Sequence, residues 1–429
     1  MNPHPTKKQA WFGWCMYDWA NSAFATVILS AVLPVYFVAL VPEEGARIAF
    51  AGFSRSFRAT ALWGYAVSCS MLIVAVTSPY LGSIADRLSL HRRFLFACCL
   101  TGALATALLF FATPGRYLLA ALLFILANIG FAGGNVFYNA FLPKLAGAHE
   151  LDRLSSRGFA YGYIGGGLAL LLVFGMIQGY SFLGFADKGA ASRAGFLLTG
   201  CWWLLFAAPT YLYVRIAASP IMPDSLHRGI HGYFKIFTEI KKYPALLLFL
   251  IAFLFYNDGI QTIIVVAAIF AREELGLSQA TILSCFLMIQ FVAMPGTLLF
   301  GRLAEAFGAK RALYLALFLF ILVTIYAYFM NKAWEFWLLG FIIAIILGGS
   351  QAVSRSFFSS LIPEGKHAEF FGFYAISAKF ASVFGPLVFA VIVDVTGSAR
   401  LSILALTFFF VVGMLLLTRV KTKSEIPAI

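Results

Sequence analysis

Trp14-Cys15-Met16-Tyr17-Asp18-Trp19-Ala20-Asn21-Ser22-Ala23-Phe24 sits near the start of an apolar stretch that runs from Trp11 to Leu40. A helix of that length more than crosses the roughly 30 Å of hydrocarbon in a bilayer. Yet it carries a carboxylate, which costs roughly 2.5 to 3.5 kcal/mol at the bilayer centre on insertion scales. Asp18 must therefore face protein, water or a partner. At helical spacing Asp18, Asn21, Ser22 and Ala25 share one arc, while Phe24, Val27, Ile28 and Val35 tend elsewhere. The stretch reads as a membrane helix with one polar stripe. The alternative is that Asp18 stays wet at the headgroups and that Trp11, Trp14 and Trp19 form an interfacial aromatic belt.

The composition agrees with a chain dissolved mostly in lipid. Of 429 residues, 62% are hydrophobic and only 11% are charged, against about a quarter charged in soluble domains. The net charge of +13 comes from bases scattered through short connections. There is no basic patch of the kind that binds nucleic acid, and no nucleic-acid partner is expected. The six cysteines lie in apolar stretches without metal-ligand spacing and read as small buried hydrophobes. No cleavable signal peptide is expected, because the first apolar segment is too long and contains an acid.

About twelve runs are long enough to span: roughly 14–40, 60–81, 94–112, 117–141, 157–179, 194–214, 244–270, 279–300, 311–330, 334–357, 370–394 and 400–418. With the N-terminus inside, Lys and Arg favour the inner connections by about two to one, so both termini are expected in the cytoplasm. Arg47, Arg55 and Arg58 in the first outer loop run against that bias. The fold class expected is an all-α membrane protein of twelve transmembrane helices in two pseudo-symmetric six-helix bundles. The divisions are 1–214, a cytoplasmic linker 215–243 with an amphipathic surface helix around Phe234, Phe237 and Ile240, and 244–429.

The halves echo each other. Gly82-Ser83-Ile84-Ala85-Asp86-Arg87 follows segment two, and Gly301-Arg302-Leu303-Ala304-Glu305 follows segment eight. Phe141-Leu142-Pro143-Lys144 ends segment four, and Leu361-Ile362-Pro363-Glu364 ends segment ten. Tyr17-Asp18 is matched by Tyr256-Asn257-Asp258. Repeated halves of this kind are a transporter architecture.

Ionisable groups inside apolar helices are functional candidates by default. Asp258 lies about 21 Å of helix beyond Pro244, with Tyr256, Asn257, Gln261 and Thr262 around it. Intramembrane carboxyls serve as proton relays, so proton coupling is open to it; a static polar pair between helices is the alternative. Arg355 in Gly348-Gly349-Ser350-Gln351-Ala352-Val353-Ser354-Arg355 and Lys379 in segment eleven supply two bases. With Asp18 and Asp258 they either pair with each other or hold the two ends of a zwitterion; snorkelling is the alternative for Arg355. Gly158, Gly162 and Gly166 at spacing four form a small-residue face suited to close helix packing. Kinks are expected at Pro34, Pro79, Pro209, Pro295 and Pro386. Every histidine falls in a loop or tail. No HExxH, GxSxG or Walker motif is present, so neither an enzyme nor an ATP-driven pump is expected. No metal site and no cofactor are expected either.

The loop from Gly82 to Arg93 resembles the G-x-x-x-D-R-x-G-R-R signature of major facilitators. The resemblance implies a gate: Asp86 near the positive start of segment eleven, with Gly82, Arg87 and Arg92 beside it. Ser89 stands where Gly is usual. Glu305 would act likewise against the start of segment five, with Ser155 or Ser156 as its cap and Arg157 as the cation. Tyr17-Asp18-Trp19-Ala20-Asn21-Ser22-Ala23, Tyr256-Asn257-Asp258-Gly259-Ile260-Gln261-Thr262, Gly349-x-Gln351-Ala352-x-Ser354-Arg355 and Phe370-Phe371-Gly372-Phe373-Tyr374 together resemble the vacuole-effluxer-like family. That is a branch of the major facilitator superfamily whose fungal members are linked to amino-acid release from vacuoles. The resemblance implies a major facilitator fold with a mid-membrane site, and a secondary transporter of a small polar solute, an amino acid first, working by rocking of its halves. Asp18, Asn21, Asn257, Asp258, Gln261, Gln351, Arg355 and Lys379 are the expected cavity or coupling residues. The alternatives are an exporter of drug-like or lipid-like amphiphiles and a non-transporting sensor or scaffold. The short loops resemble bacterial members, so a monomer in a bacterial cytoplasmic membrane is expected, with lipid and a small-molecule substrate as its partners.

Overall fold

The computed structural model describes residues 5–50, 53–146, 151–214, 240–362, 370, 374, 377–378 and 380–420. The linker 215–239, and with it the surface helix expected there, lies outside the described residues, as does Lys379. The chain forms two compact units: 1–230 with 278–287, and 231–277 with 288–429.

In the first unit α1 (Lys7–Ala23) passes through a π-helical stretch, Phe24–Ala31, into α2 (Val32–Leu40). A hairpin of β1 (Ala46–Phe50) and β2 (Phe53–Phe57) follows, then α3 (Ala59–Leu88), α4 (His91–Leu108), α5 (Tyr117–Leu145), α6 (Leu151–Gln178) and α7 (Lys188–Tyr213). The second unit contains α8 (Pro244–Glu273), the greater part of α9 (Gln279–Phe307), whose first turns belong to the first unit, α10 (Ala309–Phe329), α11 (Ala333–Leu361), α12 (Phe384–Thr396) and α13 (Ala399–Thr418). Among the described residues, eleven helices are long and apolar enough to cross a membrane, and α12 is a shorter apolar one. This is the all-helical, two-bundle membrane fold that the spacing of apolar runs predicts.

Local chemistry sets the ends. Thr6 accepts from the Gln9 N–H while Gln9 Oε1 accepts from the Thr6 N–H, a capping box at α1. Asp187 accepts from the Ala190 N–H at 2.6 Å and starts α7. Pro244 occupies the first turn of α8, where its missing N–H costs nothing. Glu335 accepts from the Asn331 and Lys332 N–H groups at the start of α11.

Several expectations are corrected. The helices outrun their apolar cores, because polar end turns continue the hydrogen-bond ladder beyond the apolar run. The Gly82–Arg93 loop shrinks to Ser89 and Leu90, and Asp86 and Arg87 belong to the last turn of α3. Ser155 and Ser156 fall inside α6 and cannot cap its start. His91 is the first residue of α4, buried, with its ring 6.1 Å from that of Phe141. Cys69 and Cys201 are exposed, not buried. Segment one is interrupted by its π turns, and the first outer loop forms a hairpin in which Ala46 pairs with Phe57 and Arg47 with Ser56. Segment eleven is interrupted too: Phe380 is helical, 381–383 form a turn, and α12 begins only at Phe384. The ring of Pro386 cannot donate to the Ser382 carbonyl and crowds it, which breaks the ladder there. By contrast, α7 and α9 continue without a break past Pro209 and Pro295.

Candidate functional site

In the first unit, α1 and α6 meet along two complementary stripes. Trp14, Asp18, Ser22 and Thr26 recur every four residues on one. Gly158, Gly162 and Gly166 recur every four on the other, so the two ridges stay in register. A Cβ at Gly158 would stand 2.6 Å from Asp18 Oδ2 and 2.7 Å from the Trp14 ring. One at Gly162 would stand 2.7 Å from Ser22 Oγ, and one at Gly166 2.5 Å from Thr26 Oγ1. The glycine face is thus what makes room for the polar stripe of α1. Asp18 and Ser22 are half-buried, with Ala25 and Leu29 continuing the same face.

Asn21 does not belong to that open arc. It is buried, and its Nδ2 donates to Asn135 Oδ1 on α5 at 2.7 Å. Tyr17 turns the same way: its ring stacks on Tyr138, which in turn stacks on Trp14. Its hydroxyl fits against Gly134, where a Cβ would come within 2.5 Å. Trp14 is buried and donates to the Tyr138 carbonyl at 3.2 Å. Trp19 lies 6.2 Å from Trp202 in a parallel stack. Trp14 and Trp19 therefore pack their rings within the bundle. A second buried amide, Asn128, donates to Ser70 Oγ at 2.7 Å between α5 and α3. No sequence pattern marks that pair, since nothing local to either helix says which distant hydroxyl the amide meets.

In the second unit, Tyr256, Asn257 and Asp258 are all buried at the middle of α8. Ser354 Oγ donates to the Ser350 carbonyl at 2.6 Å, so the Tyr256 hydroxyl, 2.7 Å away, donates to Ser354. Asp258 is 0% exposed, and neither carboxylate oxygen has a hydrogen-bond partner among the described residues. Thr262 Oγ1 donates to the Asp258 backbone carbonyl at 2.7 Å. Gly385 of α12 seats against this group: a Cβ there would stand 2.9 Å from Asp258 Oδ1 and would overlap Thr262 Oγ1. Gln261 on α8, and Leu347, Gln351 and Arg355 at four-residue spacing on α11, are half-buried. Arg355 acts electrostatically on Tyr374, whose ring stacks on Phe253 and Phe358.

The units thus share a plan. The opening helix of each sends a tyrosine toward the fourth helix (Tyr17 to Gly134, Tyr256 to Ser354) and a carboxylate toward a glycine of the fifth (Asp18 to Gly158, Asp258 to Gly385). The doublets Tyr17-Asp18 and Tyr256-Asn257-Asp258 made the tyrosines legible; Thr262, Ser354 and Gly385 were not.

The gate residues are only partly placed. Gly82 is half-buried in α3, whereas Asp86, Arg87 and Glu305 are placed by backbone alone. Ser89 ends α3 with φ 53°, in the left-handed region. The Leu90 N–H closes onto the Ala85 carbonyl at 2.9 Å, which makes a Schellman stop. That conformation explains why glycine suits the position. Arg92 donates to the Tyr211 carbonyl at the end of α7. Arg157 is exposed and lies 5.6 Å over the Trp11 ring.

Comparison with known proteins agrees with this geometry. Residues 6–428 match the family model described as "Vacuole effluxer Atg22 like". The chain is 35% identical over 421 residues to the MFS-type transporter YxiO of Bacillus subtilis (strain 168), covering 96% of this chain and 95% of that one. It is 26% identical to autophagy-related protein 22 of Coccidioides immitis (strain RS), covering 92% and 84%. Among solved structures, the nucleoside transporter NupG superposes with a TM-score of 0.68 at 16% identity, covering 96% of this chain and 99% of the other. The D-xylose-proton symporter superposes with a TM-score of 0.65 at 15% identity, covering 98% and 97%.

Proposed function

The chain belongs to the Atg22-like vacuole effluxer family and is a multi-pass transporter of the major facilitator type, and from that premise we propose that its cargo is a small polar solute, with free amino acids as the class to test first. The observation that carries this reading is the set of half-buried polar groups on otherwise apolar helices: Asp18 and Ser22 on α1, Gln261 on α8, Gln351 and Arg355 on α11. Polar groups are expensive inside a membrane and are kept where they line a solute path. Arg355 has the planar fork that suits a carboxylate, and Asp18 carries the opposite charge, that of a partner for an ammonium group.

Turnover follows an alternating-access scheme in the bacterial cytoplasmic membrane. The gate role of Gly82, Asp86, Arg87, Arg92, Glu305 and Arg157 belongs to the same proposal. The test is counterflow of a labelled amino-acid panel into liposomes holding the purified protein. Uptake of at least one member, weakened by Asp18→Asn and by Arg355→Gln, supports the reading. Absence of flux for every member removes amino acids as the cargo.

A further inference from the structure

We propose that Asp258 is the proton-binding site of the carrier, and that the broken start of α12 is the element that its protonation state moves. This rests on the transporter reading above but is tested separately from it.

Three observations meet at one place. Asp258 is wholly buried at the middle of α8 with no partner on either oxygen among the described residues. A bare carboxylate in such surroundings is expensive, whereas a neutral carboxylic acid is tolerated. Next, the carboxyl points at the first turn of a helix interrupted inside the membrane, where 381–383 form a turn and α12 starts at Phe384. The opening N–H groups of a helix have no acceptor within it and favour a nearby negative charge. Pro386 contributes no N–H, so Phe384 and Gly385 stand foremost. The Gly385 N–H faces the carboxylate without reaching hydrogen-bond geometry. Finally, Gly385 alone fits there, because any Cβ would strike Thr262 Oγ1 and crowd Asp258 Oδ1.

Among the described residues, the surroundings hold no competing charge. Toward α8, α13 presents Phe410 and Gly413, and α12 presents Gly385. From α11 comes Ser354, bonded to Tyr256, with half-buried Arg355 next in sequence. Asp394 lies at the far end of α12. Tyr256 is the titratable neighbour on α8 itself. No charged side chain among the described residues bears on Asp258. The Thr262 hydroxyl proton is spent on the Asp258 carbonyl, so it is not free to stabilise an anion. A metal cation suits the place poorly, since an N–H donor faces the carboxylate.

The cycle that follows is simple. Protonated, Asp258 is neutral and has little hold on the α12 start. When the proton passes to water on one side, the carboxylate draws in the Gly385 N–H and caps α12 from outside. The turn at 381–383 then acts as the hinge, because its ladder is already broken by Pro386.

The decisive measurement is infrared difference spectroscopy of the full chain in lipid nanodiscs as pH is raised through neutrality. A carboxylic-acid carbonyl band should disappear on alkalinisation, shift when the protein is grown on aspartate with a heavy-carbon carboxyl, and be missing in Asp258→Asn. The isotope shift in the wild-type chain needs no variant, so misfolding of Asp258→Asn leaves the test intact. A titrating band that persists in a folded Asp258→Asn, or no titrating aspartate band at all, overturns the proposal. These outcomes do not depend on cargo, so a failed amino-acid panel is distinguishable from a failed proton site. In liposomes with any transported solute, exchange by Asp258→Asn should lose its dependence on pH. Wild-type exchange that follows sodium and ignores pH would count against the site.

Discussion

At the scale of single residues, the two tyrosines that open the halves give a controlled comparison. Tyr256 donates to Ser354 at 2.7 Å, whereas the Tyr17 hydroxyl has no partner among the described residues. Tyr256→Phe should cost about 1 kcal/mol of stability and Tyr17→Phe almost nothing, because only the first loses a made hydrogen bond. Thermal unfolding in one detergent reads the difference; equal costs would contradict the assignment. Ser89 carries φ 53°, strain that glycine does not feel. Ser89→Gly should therefore be stabilising, by up to about 1 kcal/mol, since the left-handed region costs an L-residue roughly 1 to 2 kcal/mol and glycine's greater unfolded-state freedom offsets part of that, and a loss of stability would show that the left-handed stop is not formed. The Asn21–Asn135 bond should couple the pair by about 0.6 kcal/mol, and by no more than about 1.7, in a double-mutant cycle.

At the scale of elements, room between helices matters more than attraction. Lipid is as apolar as leucine, so helices associate through close packing and internal polar contacts. The α1–α6 contact shows this: three glycines at spacing four receive Trp14 with Asp18, Ser22 and Thr26. In Gly158→Leu the side chain would have to displace the Trp14 ring, itself wedged on Tyr138. A cost of about 1 to 3 kcal/mol is expected from overpacking, seen as a lower unfolding temperature, while Gly301→Ala, which meets open space, serves as the control. The glycine periodicity was readable beforehand; that it accommodates Asp18 was not. The π stretch and the break before α12 were legible only as prolines. Pro209 and Pro295 occur in helices that run on, whereas Pro34 and Pro386 accompany interruptions. Proline removes a donor in every case, but neighbouring helices decide whether the ladder closes again.

At the scale of the whole molecule, the excess of bases sets an orientation that a fluorescent reporter can check. Fusions at either terminus should fluoresce, and a periplasm-active phosphatase at the same points should stay silent. Phosphatase activity at either end would invert the proposed topology. The repeat of the two units has its own consequence. Each places one carboxyl against one glycine, yet Asp18 is half-buried where Asp258 is sealed. Under the proposed reading, the half-buried acid is the one that meets solute and the sealed one the proton site.

The amino-acid sequence alone determined the medium, the number of spans, the two-bundle architecture and the family, because hydrophobic length and fixed-spacing motifs are properties of the chain as a line. It also picked out Asp18 and Asp258, since a charge in an apolar run is costly wherever that run folds. Only the tertiary structure decided that Asn21 turns inward to Asn135, that the α3 signature is helix nearly to its end, and that Gly385 and Thr262 enclose Asp258. Burial and partnership arise from residues far apart in the chain, and no local pattern encodes which distant helix supplies the missing neighbour.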